Sequence, residues 1–531
     1  MVNHHHDVPF RVLNKVSTFA APAGLPTNST DNRIIHGDNL EALKSLLPEF
    51  EGQVKCIYID PPYNTGNEGW VYNDAVNDPK MKRWLGQVVG KEGEDLSRHD
   101  KWLCMMYPRL KLLHRLLSKD GAIFISIDDN ECANLRAIAD EIFGESNFVS
   151  TVIWQKKYTV SNDAKWLSDN HDHILIYARN KNSWRPNRLP RTEEMNERYR
   201  NPDNHPKGPW KATPLYAKRN GSAKEKAFSY AFKNGVVWTA PRGTSPRFPA
   251  AELARMDAGN EIWFGIDGIA IPARKTFLSE LKQAAPPAPT VWLHSDVGSN
   301  HEAREDIRAV FSNIDRDFDT PKPVRLLERV LTLATEEDSV VLDSFAGSGT
   351  TAHAVMRRNA ADGGRRRFIT IEMEDYAESI TAERVRRVMS GYGEGTKVTP
   401  GLGGGFDFYT IGEPMFLADD NLNEAVGTDA IRSYVAYSEG IPAADRAGTE
   451  NPHSPYLLGL NLETAWLFHY APDRATSLDL DFLSNLKFGG TTGAGKPCTV
   501  IIYADKCLLS AALMAKHGII FKKIPRDITR F

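Results

Sequence analysis

Asp60, Pro61, Pro62 and Tyr63 form a stretch that could act on an exocyclic amino group. They follow the apolar run 56–59, which predicts a buried strand that ends here because proline lacks the N–H group that a ladder needs. Ligands bind just beyond the carboxyl ends of such strands. The Asp60 carboxylate and the Pro61 carbonyl could each accept one amino N–H, which directs the nitrogen lone pair at an electrophile, while Tyr63 offers a flat face to a base. An ordinary turn is the alternative, since Asp and Pro are common turn formers.

A glycine-rich turn far downstream could bind a second small molecule. Residues 339–343 predict a buried strand, and a helix starts near Thr350. Gly347 and Gly349 allow a tight turn and a close approach of the backbone to a ligand, whose carboxylate the helix N-terminus favours. Glu372 ends the next strand, where it could accept hydrogen bonds from ribose hydroxyls. No Lys precedes Thr350, so this is not a Walker loop, and the full GxGxxG dinucleotide fingerprint is absent.

Both motifs resemble those of the DNA amino-methyltransferases, which move a methyl group from S-adenosylmethionine to adenine N6 or cytosine N4. The run 58–66, Tyr-Ile-Asp-Pro-Pro-Tyr-Asn-Thr-Gly, is similar to the methylation subunit of type III restriction-modification systems. The catalytic motif precedes the cofactor motif, with a basic insertion between them, as in the β class, and the resemblance covers roughly residues 34–390. It implies an α/β fold: a Rossmann-like methyltransferase sheet of seven mostly parallel strands, one of them antiparallel, with helices on both faces.

The resemblance also implies roles for individual residues, with Asp60 to Tyr63 as the catalytic motif. It assigns the S-adenosylmethionine pocket to Asp38, Thr320, Lys322, Pro323, Asp343, Phe345, Ala346, Gly347, Ser348, Gly349, Thr350 and Glu372. We expect the DNA to contact Asn64, Trp154, Lys211, Lys218, Arg219 and Arg242. Trp154 could equally be a core aromatic residue. The implied reaction needs no metal and no covalent enzyme intermediate, because the amine attacks the methyl group directly.

The segment 185–247 is strongly basic. It has 14 Lys or Arg and 5 Asp or Glu, a local net charge of 14 − 5 = +9. Its interleaved aromatic residues are Trp210, Tyr216, Phe228, Tyr230, Phe232 and Trp238. Basic side chains can neutralise phosphates and aromatic faces can stack on bases, so the segment is interpreted as DNA-binding; a solvated face is the alternative. Type III relatives carry their target-recognition domain at this position.

Changes in composition along the chain predict its organisation. We expect an N-terminal arm (1–33), a catalytic domain in two parts (34–182 and 312–395), a target-recognition domain (183–311), a linker (396–412) and a C-terminal α/β extension (413–531) that supports assembly. The long polar loop 64–99 suggests a lid or a solvated insertion. Apolar periodicity predicts helices over 39–47, 103–117, 130–143, 324–333 and 505–516, and strands over 33–38, 122–127, 148–154, 173–177, 367–372, 498–503 and 519–523.

Composition narrows the class of protein. The chain is 41% hydrophobic and 25% charged, as globular proteins are, and no apolar run reaches the length of a membrane span. No signal peptide is evident, and the five cysteines include no CxxC pair, which argues against a zinc or disulfide framework and fits a reducing cytoplasm. His4, His5 and His6 could bind metal but are interpreted as part of the arm.

The sequence therefore predicts an adenine-N6 DNA methyltransferase that uses S-adenosylmethionine on double-stranded DNA. Asp60 favours adenine, because Ser is more usual at this position in cytosine-N4 enzymes. Cytosine-N4 methylation, and a DNA-binding specificity subunit without catalysis, are the alternatives. A homodimer is expected from the family, and a helicase-nuclease restriction subunit is a candidate partner, since this chain has no Walker motif of its own.

Overall fold

The computed structural model describes residues 8–27, 30–65, 98–162, 164–281, 286–311, 318, 320–448, 454–486 and 497–530. Contacts divide the chain into two units, Met1–Pro186 with Pro289–Phe531 and Asn187–Ala288. Most of the loop predicted as a lid lies outside the described residues. Among the described helices, none combines the length and the apolar character of a membrane span.

The first unit is built on a ten-stranded sheet. In chain order its strands are β1 (Arg11–Ala20), β2 (Asn32–His36), β3 (Val54–Ile59), β4 (Leu117–Ile127), β5 (Phe148–Gln155), β6 (His171–Ala178), β7 (Val291–Trp292), β8 (Val340–Asp343), β9 (Arg367–Glu372) and β10 (Gly405–Pro414). Their order across the sheet is β1-β10-β2-β9-β8-β3-β4-β6-β5-β7. The seven strands from β2 to β5 in this order are parallel except for β6. This confirms the predicted methyltransferase-like sheet.

Helices cover both faces of the sheet. They are α1 (Asn39–Phe50), α2 (Arg98–Leu116), α3 (Cys132–Phe143), α4 (Asn300–Val310), α5 (Val324–Ala334), α6 (Thr350–Asp362) and α7 (Glu383–Ser390). Side chains alternate along a strand, so Ile57 and Ile59 share one face and pack with apolar residues of α1, α2 and α3. Cys56 and Tyr58 are buried on the opposite face, and α5 contacts β3 and β4. The carboxyl ends of the strands are thus held between two helical layers.

Two outer strands differ from the sequence prediction. Residues 11–20 and 405–414, predicted to lie in an arm and a linker, form β1 and β10, which pair with each other; β10 also pairs with β2. Asn32 fixes this edge, because its amide donates to the Gly405 carbonyl (2.8 Å) and its side-chain oxygen accepts from the Phe368 amide (2.9 Å). Most of β1 is exposed, so its sequence lacks the apolar pattern of a buried strand.

The second unit has small sheets around its own apolar core. Its three-stranded sheet joins Trp210–Pro214, Ala273–Phe277 and Ile262–Trp263, and a helix spans Ala250–Ala258. The core contains Leu215, Phe232, Trp238, Leu253, Met256 and Ile262. Several of the interleaved aromatic residues therefore serve packing in this unit.

The C-terminal region of the first unit has a four-stranded sheet. Its strands are Leu457–Leu460, Thr464–Phe468, Thr499–Ala504 and Ile519–Lys523, and its helices include Thr428–Ser438 and Ala511–Lys516. The helix predicted for 505–516 thus begins only at Ala511. Phe10 and Val12 of the N-terminal segment pack against the apolar cluster around Met415 and Tyr434. The C-terminal region is therefore attached to the main sheet by side-chain packing as well as by the chain.

Candidate active site

The two motifs meet at one edge of the sheet. Strands β3 and β8 are parallel neighbours, with Cys56 opposite Val341 and Ile57 opposite Leu342. Their carboxyl ends therefore emerge side by side, although they are far apart in the chain. The Asp60 loop follows β3, and the glycine-rich loop follows β8. A crevice beyond adjacent parallel strands is where open α/β sheets bind ligands.

The Asp60 carboxylate has one occupied and one open oxygen. Lys322 donates to Oδ2, and the ammonium group also lies 5.1 Å from the centre of the Tyr63 ring. Asp60 Oδ1 is buried and accepts no hydrogen bond of acceptable geometry from the described residues. A buried carboxylate oxygen without a donor is costly, so this atom is suited to accept a hydrogen bond from a ligand.

Pro62 and Tyr63, the last two residues of the motif, are fixed by side chains from other elements. The Trp102 indole N–H of α2 donates to the Pro62 carbonyl (2.7 Å), which fixes the orientation of the peptide between Pro62 and Tyr63. The Tyr63 hydroxyl donates to Asp172 Oδ2 (3.3 Å). Burial, together with Asp60 and Asp172, raises the pKa of the Tyr63 hydroxyl well above its ordinary value. Tyr63 is therefore neutral, and its ring is available for stacking.

Lys156 and Trp154 complete this side of the site. Lys156 donates to Asp172 (2.8 Å) and Asp169 (2.8 Å), so Asp172 is a shared acceptor at the start of β6. Trp154 is fully buried opposite Asp172 in the β5–β6 ladder, and its indole N–H donates to the Gly298 carbonyl (3.0 Å). The Lys322 ammonium lies 6.0 Å from its ring centre. Trp154 is a core aromatic residue that also borders the site.

Asn64 is an anchor of the Asp60 loop. It is buried, has a positive φ of 56° and donates to Glu131, whose same oxygen lies 2.7 Å from His99 Nδ1. Asn tolerates this left-handed conformation better than most residues. Its predicted contact with DNA stays a prediction.

The glycine-rich loop is bonded to the residues around it. Gly347 and Gly349 have φ angles of 52° and 80°, in the region that glycine adopts without strain. Thr381 Oγ1 donates to the Gly347 carbonyl (2.6 Å), and buried Arg384 donates to Ser348 Oγ (2.9 Å) and Thr350 Oγ1 (2.8 Å). The protein's own side chains therefore hold the shape of this loop.

Two buried carboxyl groups support the same loop. Asp343 accepts from Thr351 and from the Phe345 amide (3.0 Å), and burial raises its pKa to about 7. Glu372 accepts from the Gly347 amide (2.7 Å) and the Glu374 amide (3.1 Å), and burial raises its pKa to about 7 as well. A carboxylate oxygen can accept two hydrogen bonds, so Glu372 keeps acceptor capacity for ribose hydroxyls.

Helix α1 brings Asp38 to the glycine-rich loop. Asp38 is its N-cap and accepts from the Leu40 amide (2.7 Å), while the Asn39 amide donates to the Ser344 carbonyl (3.0 Å). The Gly37 amide donates to the Glu372 carbonyl (3.0 Å). The start of α1, the end of β9 and the loop after β8 are therefore joined side by side by hydrogen bonds.

The segment before α5 joins the two halves of the site. Pro323 is the N-cap residue of α5, Thr320 has a positive φ of 54°, and Lys322 reaches Asp60. Phe318 packs edge-on against Tyr376, with ring centres 5.4 Å apart. A Cβ placed on Gly347 would meet the Phe318 ring at 3.4 Å. Two aromatic rings therefore stand beside the glycine-rich loop.

Sequence reasoning missed several residues of the site. Trp102, Lys156, Asp172, Tyr376, Thr381 and Arg384 come from segments without a local motif. Ala346 and Phe345, which sequence reasoning did include, are buried within the loop. The cofactor and DNA roles given to individual residues stay predictions.

In the second unit the basic residues named for DNA lie on its surface. Lys218 and Arg242 are exposed, and Arg219 pairs with Glu225 (2.6 Å). The Lys211 ammonium lies 5.3 Å from the centre of the Tyr199 ring. The surface charge is therefore partly, not wholly, compensated within the unit.

A DNA methylase family model matches residues 54–383. The chain belongs to the DNA methylase family. This confirms the family predicted from the two motifs. The chain is 39% identical over 360 residues to the type III restriction-modification enzyme StyLTI Mod subunit of Salmonella typhimurium, covering 64% of this chain and 52% of that protein. It is 30% identical over 396 residues to the EcoP15I Mod subunit of Escherichia coli, covering 65% and 59%.

The chain thus spans little more than half the length of these relatives. Among solved structures, the cytosine-N4-specific PvuII DNA methyltransferase aligns with a TM-score of 0.34 at 14% identity, covering 68% of this chain and 89% of that one. The family assignment rests on the sequence match.

Proposed function

We propose that this DNA methylase transfers a methyl group from S-adenosylmethionine to adenine N6 in duplex DNA, as the modification subunit of a type III-like system or as an orphan relative of one. One observation carries the proposal: a buried carboxylate oxygen of Asp60, to which none of the described residues donates, lies beside neutral Tyr63 at the same sheet edge as the glycine-rich loop. The first feature suits an amino group and the second suits a nucleoside cofactor.

The residues around the glycine-rich loop fit S-adenosylmethionine. Glu372 offers acceptors for ribose hydroxyls, and Asp38 lies in the same pocket. A Cβ on Gly347 would meet the Phe318 ring at 3.4 Å and one on Gly349 the Thr381 carbonyl oxygen at 3.2 Å, so glycine at both positions keeps the turn tight. Lys322 and Thr320 would flank the methionine end. When bound, the cofactor supplies an electrophilic methyl group on a sulfonium centre.

The Asp60 loop would bind and orient the target base. One N–H of the amino group donates to Asp60 Oδ1 and the other to the Pro61 carbonyl, while Lys322 holds Oδ2 and so fixes the carboxylate plane. If these two acceptors draw the amino protons out of the plane of the base, conjugation of the lone pair into the ring is opposed and the nitrogen becomes a better nucleophile. Tyr63 stacks on the base. The base must leave the duplex first, because its amino group is paired inside the stack.

The net charge of +9 in segment 185–247, most of which lies in the second unit, supports a role of this unit in recognising duplex DNA. Exposed Lys218 and Arg242 could neutralise phosphates, which position a protein on DNA without reading sequence. Both residues are far from the Asp60 loop in the sequence. Substituting them can therefore test DNA binding separately from methyl transfer.

The assembly proposed from the family is a homodimer that works with a helicase-nuclease restriction subunit in the cytoplasm. The named relatives are Mod subunits of type III restriction-modification enzymes. A stable dimer should bury about 1,200 Å² or more in total. Light scattering at micromolar concentration tests this, and a fully active monomer on DNA would refute it.

Sequencing of modified bases in DNA from cells that express the chain tests the function directly. We expect N6-methyladenine at one sequence motif with the wild-type chain and none with Asp60→Ala. N4-methylcytosine at the motif would replace adenine with cytosine as the target. Unmodified DNA from cells with folded wild-type protein would refute the methyltransferase proposal and favour a DNA-binding subunit without catalysis.

A further inference from the structure

The loop between β5 and β6 exposes several apolar side chains to solvent. Its two arms are residues 156–162 and 164–170, here called the hairpin loop. Trp166 is 93% exposed and Leu167 is 90% exposed, and they are adjacent in the chain. Val160 (74%) and Tyr158 (54%) add to the patch. Single exposed apolar residues are ordinary, but a Trp-Leu pair in water with further apolar neighbours indicates an interaction site.

The base of the hairpin loop is part of the candidate active site. Lys156 at its start bonds to Asp172 just beyond its end (2.8 Å), and Asp172 accepts the Tyr63 hydroxyl. The ring centre of Trp154, two residues before Lys156, lies 6.0 Å from the Lys322 ammonium. The loop therefore projects from the residues that border the proposed base pocket.

The hairpin loop is held in shape by its own hydrogen bonds. The Lys157 amide donates to the Asn170 carbonyl (3.2 Å), the Asn170 side chain donates to the Thr159 carbonyl (2.7 Å), and the Ser161 amide donates to Ser168 Oγ (2.9 Å). The last of these bonds involves Ser168, which directly follows Leu167 in the chain. The pair is thus presented at the tip of an ordered arm.

The arm is long enough to reach into duplex DNA. Ser161 lies six positions after Gln155, and this stretch spans at most about 20 Å when extended. The grooves of B-DNA are about 8 Å deep. Lys157 and Lys165 are exposed on the two arms, where they can face phosphates.

We propose that the hairpin loop inserts Trp166 and Leu167 into duplex DNA, where they occupy the space that the target base leaves. This inference rests on the proposed function, since it requires a base that leaves the stack. Apolar side chains enter base steps in other DNA-binding proteins, and an indole stacks on every base. The hairpin loop thus stabilises the open duplex, whereas Asp60 and Tyr63 bind the extruded base.

The experiment compares Trp166→Ala with the wild-type chain on two duplexes that carry the motif found by methylation sequencing. One duplex is fully paired, and in the other the target adenine is opposite a mismatched base. We expect kcat/KM to fall about tenfold or more on the paired duplex, because one stacking contact is lost. On the mismatched duplex, where opening costs less, the loss should shrink to about threefold or less. With 2-aminopurine at the target position, the fluorescence of the Trp166→Ala complex should be lower than that of the wild-type complex. The difference should be larger on the paired duplex than on the mismatched one.

Matched variants separate this role from a structural one. Trp166→Phe keeps an aromatic face and should restore most of the activity, and Leu167→Ala should show a smaller defect of the same kind. Leu462→Ala removes a similarly exposed side chain (81%) from the C-terminal region and should change nothing. The dissociation constant for S-adenosylmethionine should be unchanged in all four variants.

Four results would overturn the inference. Equal activity of Trp166→Ala and wild type on the paired duplex excludes insertion while leaving the methyltransferase function intact. An equal loss on both duplexes assigns the residue to general DNA binding. If Trp166→Ala and the wild-type chain differ in oligomeric mass without DNA, the patch is a contact between copies of the chain. A wild-type chain that methylates neither duplex overturns the proposed function and this inference together.

Discussion

The loops after β3 and β8 leave neighbouring strands of one sheet but are finished differently. The glycine-rich loop is held by hydrogen bonds with three surrounding side chains, Glu372, Thr381 and Arg384. Trp102 and Lys322 hold the Asp60 loop in place, but no residue in the described part of the chain donates to its buried Asp60 Oδ1. The first arrangement fixes a shape and the second leaves an unmet hydrogen bond. A loop that only binds can be completed in advance, whereas a loop that acts on its ligand must keep an acceptor for it.

The strongest test of this difference is the open oxygen. Asp60→Ala should lower the rate of methyl transfer by about a hundredfold to a thousandfold or more, the range for losing one preorganised hydrogen-bonding group at a reacting centre. The S-adenosylmethionine dissociation constant should stay within about threefold, because the glycine-rich loop is built without Asp60. Calorimetry and a methyl-transfer assay measure both.

Lys322→Met serves as the companion variant, since it frees the second Asp60 oxygen while leaving the carboxylate. It should show a smaller rate loss than Asp60→Ala. Near-normal turnover of Asp60→Ala would remove this loop from the chemistry and end the comparison.

Gly347→Val tests whether the glycine-rich loop can accommodate a side chain. A β-branched residue at a φ of 52° is a genuine outlier, and its Cβ would meet the Phe318 ring at 3.4 Å. We expect the S-adenosylmethionine dissociation constant to rise about tenfold or more, with a stability loss of about 1–2 kcal/mol. Titration calorimetry and thermal melting measure the two effects.

Gly363→Val is the matched control. Gly363 follows α6 with a φ of 73°, and a Cβ there meets nothing within 4 Å. It should lose similar stability but keep its affinity for the cofactor. Equal affinities in both variants would show that the pocket lies elsewhere.

A third test uses the buried Glu372 carboxyl, whose pKa burial raises to about 7. Because its folded-state pKa is high, the carboxylate that accepts ribose hydroxyls forms only as pH rises through 7. Affinity for S-adenosylmethionine should therefore increase between pH 6 and 8, by up to about ninefold as the ionised fraction grows from roughly 10% to 90%. Binding isotherms at several pH values measure this.

Glu372→Gln keeps the size of the side chain but cannot ionise. Its affinity should be lower at pH 8 and flat across the range, so any slope left in the variant belongs to another group such as Asp343. A wild-type affinity that does not change with pH would contradict the proposed ribose contact.

The smallest effect concerns the second unit. Lys218→Gln with Arg242→Gln should flatten the plot of log affinity for DNA against log salt by about 1.8, since each phosphate contact contributes about 0.9. Arg304→Gln with Arg308→Gln, on exposed positions of α4, is the control and should leave the slope unchanged. Fluorescence anisotropy over a series of salt concentrations decides between them, and equal slopes would favour a solvated face.

The central sheet could be predicted because its strands are apolar and buried. Runs such as 56–59 and 122–127 have few polar residues, so the local sequence already indicates burial. Strand β1 is exposed along most of its length, and β10 begins in a glycine-rich run, so neither has that pattern. Their pairing depends on partners almost 400 residues apart, which no local window contains.

The same limit applies to the site. Asp60, Gly347 and Glu372 could be found because each stands at the end of a buried strand, where the topology of the sheet places ligands. Asp172 and Trp102 gave no such signal, because their importance comes only from contact with Tyr63 and Pro62. The aromatic residues of the basic segment misled in the other direction: Phe232 and Trp238 are core residues of a small unit.

The strand order has a consequence for biosynthesis. Strands β2 and β3 follow one another in the chain, yet β9 and β8 lie between them in the sheet, and β8 begins 340 − 59 = 281 residues after β3 ends. While a ribosome makes this protein, the early strands wait with unpaired edges until residue 372 has emerged. Such edges are templates for aggregation, and long-range pairing of this kind is slow. The nascent chain should therefore depend on chaperones until its last central strand closes the sheet, which is also the moment at which the catalytic and cofactor loops first meet.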